Sequence, residues 1–256
     1  MTKEMKGRPP ELIAALVPDE IVEHFNLPPP DDFSELEGNE GGRYELHDDG
    51  KSIRVKVWPR TGIADPAYVL DLKISYLGEV EIVWISINDI DAPRFDVDAM
   101  GNLPIRPKSG RRNIEEELRA MAAGLAPNQV RAGLGCFSSA LRRIEQFAKS
   151  IGAPLISIFP MAYHNALLYE RSGFHYRSGG ELMTHIHQGF GEGGIYRKQL
   201  DGSSPFKMPE LADTIRGRSS ALHNGILREM CYVPSMYRIV GEDHSQKLDT
   251  APGVKW

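Results

Sequence analysis

Residues 137–159 read FSSALRRIEQFAKSIGAPLISIF, and the fold turns on them. Phe137, Leu141, Ile144, Ala148 and Ile151 recur at four-and-three spacing, while Arg142, Arg143, Glu145, Gln146 and Lys149 take the other face. That is the period of an amphipathic helix, and Gly152 and Pro154 stop it. LISIF at 155–159 is a short all-apolar run, the pattern of a strand covered on both faces. A strand ahead of this helix makes the unit a right-handed parallel crossover.

Such strands lie upstream. Arg43 to Leu46, Ser52 to Trp58, Ala67 to Tyr76 and Val80 to Ile90 read as extended segments. DDG at 48–50 is a hairpin turn signal, and LGE at 77–79 leaves room only for a tight reversal, so these strands pair antiparallel. Ahead of them, residues 9 to 26 look helical with Pro18 as an interruption, and a connector rich in Pro, Gly and acid follows at 27–42. Residues 91 to 127 read as a long loop or lid containing a short helix from Ile114 to Leu125, with Asn113 and Glu116 spaced as a capping box.

Downstream, a second helix from about His164 to Ser172 closes at Gly173. Strand-like stretches follow at Phe174 to Tyr176, Glu181 to His187 and Gly194 to Leu200, then a helix from Pro209 to Met230 and a tail with no readable pattern. The apolar positions Leu211, Ile215, Leu222, Ile226 and Met230 suit packing on a second copy of the chain, in a homodimer, as readily as on its own core.

Composition bounds the function classes. A 256-residue chain with 41% hydrophobic and 25% charged residues is ordinary for a folded protein and argues against disorder or a disulfide scaffold. The formal charge of -5 supplies no general attraction to nucleic acid or anionic lipid. Cys136 and Cys231 carry no metal spacing and suit a reducing compartment, and no apolar run is long enough for a membrane span or signal segment. The expectation is a cytoplasmic protein with no nucleic-acid or membrane partner. His185 and His187 share a face of the expected strand without a third ligand, so no metal is expected. Arg106, Lys108, Arg111 and Arg112 form a basic cluster, either a solvated loop or a contact for an acidic group.

Three stretches carry a resemblance: NALLYERSGF at 165–174, VEIVWISI at 80–87 and NQVRAGLG at 128–135. In this setting they resemble the GNAT superfamily of acyl-CoA-dependent N-acetyltransferases, over roughly residues 43 to 200. The first looks like that family's late motif, a helix bearing a Tyr and closing in Gly-Phe. The second is similar to its fourth strand, in which a Glu precedes an apolar run. The turn departs from the family's pattern: where Gln or Arg is expected the chain has Val130, with Gln129 and Arg131 on either side. The Asn usual seven residues before the Tyr is here Ala162.

The resemblance implies an α/β fold, a mixed and mostly antiparallel sheet with a parallel β-α-β cofactor unit, flanked by a helical lead-in (1–42) and a helical extension (205–256). The domain proper would span 43–204 with 91–127 inserted. It implies acetyl-CoA, or another acyl-CoA, as donor and a small-molecule or peptide amine as acceptor. Glu81 would be the base, with Asp89 and Asp91 as alternatives, and Tyr169 the acid that protonates the departing thiolate. Ile85, Ser86 and Ile87 would meet the coenzyme arm through their backbone, and Gln129, Arg131, Ala132, Gly133, Leu134 and Gly135 its pyrophosphate at a helix start. Asn165 would contact the coenzyme or a water. Read without the resemblance, Tyr169 is a packed ring, Glu81 an exposed strand residue and the glycines relief of crowding at a helix entry. A GNAT-like module that senses a ligand or holds a partner without catalysis is the rival reading.

Overall fold

Alternation builds the first half of the molecule: Ile53, Val55 and Val57, then Leu70 and Leu72, then Val80 and Ile82 are buried, with less buried residues between them. The computed structural model describes residues 8–30, 42–100, 103–104, 111–227, 233–245 and 247–256. In chain order its elements are α1 (Pro10–Ala14), α2 (Asp19–His24), β1 (Arg43–Asp48), β2 (Ser52–Trp58), β3 (Tyr68–Ile74), β4 (Val80–Ile87), β5 (Ala99–Met100), β6 (Leu103–Pro104), α3 (Ile114–Ala122), α4 (Phe137–Ser150), β7 (Leu155–Ile158), α5 (Tyr163–Glu170), β8 (His175–Ser178), α6 (Gly180–Phe190), α7 (Ile215–His223) and β9 (Ser235–Ile239). Three short 3-10 turns precede α7.

The fold is α/β, with a seven-stranded mixed sheet in the order β1-β2-β3-β4-β7-β9-β8 and a separate β5-β6 pair. β1 to β4 form an antiparallel meander, and β4 pairs with β7 in parallel, as the strand-helix-strand pattern predicts. Two compact units divide the chain: Met1–Ala92, Gly133–Ile158 and Tyr237–Asp243 form the first, and Pro93–Ala132, Phe159–Met236 and His244–Trp256 the second.

In the first unit α4 presents Leu141, Ile144, Phe147 and Ala148 to the interior and packs on β7, whose Ile156 and Ile158 are buried. The N-terminal helical stretch breaks at Pro18, as its sequence predicts; Leu16 and Ile21 are fully buried, and Tyr68 donates its hydroxyl to the Leu16 carbonyl at 3.2 Å. Ion pairs fasten α2 to α4, Asp19 with Arg143 and Glu20 with Arg142.

The second unit departs from its sequence reading. Residues 181–187 are helical within α6, not a strand: Met183, Ile186 and Phe190 are the buried positions, at three-and-four spacing. His185 and His187 therefore do not share a strand face. His185 Nε2 meets the Tyr196 hydroxyl at 3.0 Å, and His187 Nδ1 meets Arg218 at 3.1 Å. The stretch 194–200 is a 3-10 turn at Arg197–Gln199 rather than a strand, because the Tyr196 N–H donates to the Gly189 carbonyl at 2.8 Å and its ring lies against Phe190.

The expected helix at 209–230 is broken. Thr214 is extended and caps α7, its Oγ1 accepting from the Gly217 N–H at 3.0 Å, while Pro209–Asp213 ahead of it is 3-10. The segment expected to be featureless supplies β9. Met230, Cys231, Arg106 and Lys108 lie outside the described residues.

Candidate functional site

In the first unit, β4 is where pairing changes. Against β3 its register jumps between Asp71 and Leu72, whose partners are Trp84 and Ile82, so Val83 is an extra, bulged residue. A bulge re-aims a strand and locally ends its pairing. Against β7 the ladder covers only Val80, Glu81 and Ile82, opposite Ile156, Ser157 and Ile158. From Val83 to Ile87, β4 continues with β3 on one side and no other strand among the described residues on the other. Val83 and Trp84 are exposed there, and Ile85, Ser86 and Ile87 half-buried. Backbone N–H and C=O groups on such an edge call for a partner.

The glycine turn comes to the far end of this edge. A Cβ on Gly133 would stand 3.0 Å from the Ile87 carbonyl oxygen, so the approach tolerates little more than hydrogen. Gly135 has φ +74°, a left-handed conformation that suits glycine. Among the described residues nothing accepts from the N–H groups of Gly133, Leu134, Gly135 and Cys136, which lead into the 14-residue α4. A row of unpaired amides at a helix start is the physical equipment of an anion site.

One carboxylate already stands there. Glu20 of α2 bonds the Ser139 side chain in the first turn of α4, and that bond holds its carboxyl below the usual range. Burial, with the Glu20 charge beside it, pushes the Cys136 thiol up.

The other expected site residues fall as follows. Glu81 lies half-buried on the part of β4 still paired to β7. In the second unit, the Gln129 carboxamide accepts from the Ala126 N–H at 2.7 Å, and Ala132 packs against the small core of Phe95, Ala120 and Leu125. Arg131 is half-buried. Tyr169 is buried in α5 with its ring edge-on to Phe174, 5.5 Å between centroids, and Asn165 sits half-buried one turn earlier. Burial pushes the Tyr169 phenol above its ordinary range. Arg112 of the basic cluster is held by Glu117 and by Asn224, the latter at 3.0 Å.

Two features were not legible in the sequence. Glu20 is more than a hundred residues from Ser139, and only the packing of α2 on α4 joins them. At the end of β4, His24 joins Asp89 and Asp91, the two alternatives for a base, with one ligand atom from each within 4.8 Å of the others. Asp91 there accepts from Arg60 at 2.6 Å, and Asp89 from the Asp91 N–H at 3.0 Å.

Comparison with protein-family models, with curated proteins and with solved structures finds no match.

Proposed function

We propose that the chain is an N-acyltransferase that moves an acetyl or other acyl group from coenzyme A to an amine of a small-molecule or peptide acceptor. The observation that carries this reading is the edge of β4 from Val83 to Ile87, which has no second strand beside it among the described residues and ends at a turn whose amides have no partner among them. A linear molecule with amide groups in its arm and a pyrophosphate at one end matches that sequence of needs: strand-like hydrogen bonds along the edge, then anion-binding N–H groups at a helix start.

The donor supplies an activated acyl thioester. Ile85, Ser86 and Ile87 hold its arm through their backbone, and Gly133 to Cys136 hold its phosphates. Glu81 takes the proton that the amine must lose to attack, and Tyr169 returns a proton to the departing sulfur. A phenol is protonated at neutral pH, which is the form an acid needs, and burial extends that state to higher pH.

The rival is a GNAT-like module without catalysis, and the Glu20 carboxylate at the start of α4 favours it, because an anion in that place opposes phosphate. Titration calorimetry with acetyl-CoA and coenzyme A separates the two. Micromolar binding, weakened at least tenfold by Arg131→Ala with the melting curve unchanged, supports the acyltransferase. Absence of binding to either ligand assigns the chain to the rival.

A further inference from the structure

Two distant stretches of the first unit bring three metal-ligating side chains together beyond the end of β4. One ligand atom from each of His24, Asp89 and Asp91 lies within 4.8 Å of the other two. The fold holds all three in place. His24 closes α2, which the fully buried Ile21 anchors and the Asp19–Arg143 ion pair fastens to α4. Its imidazole stands edge-on to the Phe25 ring, 4.6 Å between centroids, and has no hydrogen-bond partner among the described residues. Asp89 and Asp91 flank the buried Ile90 and follow the buried Asn88, whose Nδ2 donates to the Pro66 carbonyl at 2.9 Å. The loop that bears both carboxylates is thus pinned from the inside, which lowers the cost of ordering them around a ligand.

The bonds these carboxylates already make leave room for a cation. Oδ1 of Asp89 accepts from the Asp91 N–H at 3.0 Å, and Oδ1 of Asp91 from Arg60 at 2.6 Å, so each keeps a second oxygen. Arg60 is the competitor. Its ion pair with Asp91 is open to water, with 51% of one side chain and 57% of the other exposed, and a pair so exposed contributes little. A divalent ion that displaces it meets two negative charges and one imidazole nitrogen.

We propose that His24, Asp89 and Asp91 form a binding site for a divalent transition-metal ion, zinc above all, with water completing its coordination. Zinc takes imidazole nitrogen and carboxylate oxygen at about 2.0–2.2 Å, which sets tetrahedral neighbours about 3.4 Å apart. Small rotations of the side chains, two of them exposed, close the present span to that value. The nitrogen ligand selects against calcium and magnesium, which favour six or more oxygens. Bound there, the ion ties the end of α2 to the end of β4. The site is independent of acyl-CoA, and the acyltransferase reading keeps Glu81 as its base.

The full chain, stripped with a chelator and dialysed, is titrated with zinc, calcium and magnesium chloride by calorimetry at pH 7.5. One equivalent of zinc should bind in the micromolar range and raise the melting temperature, while calcium and magnesium give no saturable signal below millimolar. His24→Ala, Asp89→Asn and Asp91→Asn should each weaken zinc by roughly tenfold or more, since even the outer partners of a metal site are worth that much. Asp89→Asn keeps an oxygen for the Asp91 N–H, so its loss of zinc is not a loss of the loop. Arg60→Ala, which removes the competing cation, should tighten zinc about two- to fivefold. Absence of zinc binding tighter than millimolar, zinc affinity that survives any one of the three ligand substitutions, calcium bound as tightly as zinc, or weaker zinc binding in Arg60→Ala would each overturn the site.

Discussion

Glu170 is fully buried, and three donors converge on its carboxylate: the Tyr176 hydroxyl at 2.6 Å, the Thr250 hydroxyl at 2.7 Å and the Thr250 backbone N–H. One side chain thus joins α5, β8 and the C-terminal segment of the second unit. Glu170→Ala strands those donors, and a loss of roughly 3 kcal/mol in unfolding free energy is expected; urea titration of the variant beside the parent measures it, and a change below 1 kcal/mol would refute the keystone role. Its neighbour Tyr169 is the test of chemistry. If the acyltransferase reading holds, Tyr169→Phe lowers kcat about 100-fold with acetyl-CoA affinity unchanged. Because burial raises its phenol above the ordinary range, the parent enzyme should show no alkaline fall in rate from this group up to pH 9. A variant at full turnover leaves Tyr169 a packed ring. At this scale the sequence named Tyr169, Glu81 and Gly133 but not Glu170 or Glu20. A local motif exposes the former, while the latter matter through partners far along the chain.

Among the elements, α4 is where the acyltransferase reading puts the phosphates. Its leading amides attract an anion, and Glu20 on α2 already supplies one at Ser139. Replacing an exposed charge at a helix start changes binding there by roughly 0.3–1 kcal/mol, so Glu20→Gln should tighten coenzyme A about two- to fivefold by calorimetry, less so in high salt. Unchanged affinity would mean that the phosphates do not lie at α4. The strand-helix-strand unit around α4 was legible because one amphipathic period of 14 residues and one apolar run carry it. Elements of the second unit were not. α6 is short and bounded by glycines, a length at which a period of two and a period of three and a half fit nearly the same residues. The break before α7 rests on a single capping threonine, and β9 is too short to announce itself without its neighbours.

For the whole molecule, the three histidines whose pKa burial lowers belong to one unit. Burial lowers the pKa of His164 to about 4 and lowers His187 and His223 as well, and all three belong to the second unit. An unfolded histidine binds its proton near pH 6.5. Between there and pH 4 the unfolded chain is therefore protonated at His164 while the folded unit is not, so stability present above pH 6.5 is lost as the pH falls through that window. The His164 contribution amounts to about 3 kcal/mol at full extent, and the other two act with the same sign. Acidification should accordingly loosen the two units unequally. Hydrogen exchange compared at pH 7 and pH 5, corrected for intrinsic rates, should show protection lost in α5 and α7 well before β2, β3 and β4. Equal loss in both, or none in α5 and α7, would mean that protonation of His164 is met by some local opening rather than by the stability of its unit. His164→Asn separates those outcomes, because it removes the titrating group and should flatten the pH dependence of α5 even if it lowers stability at pH 7.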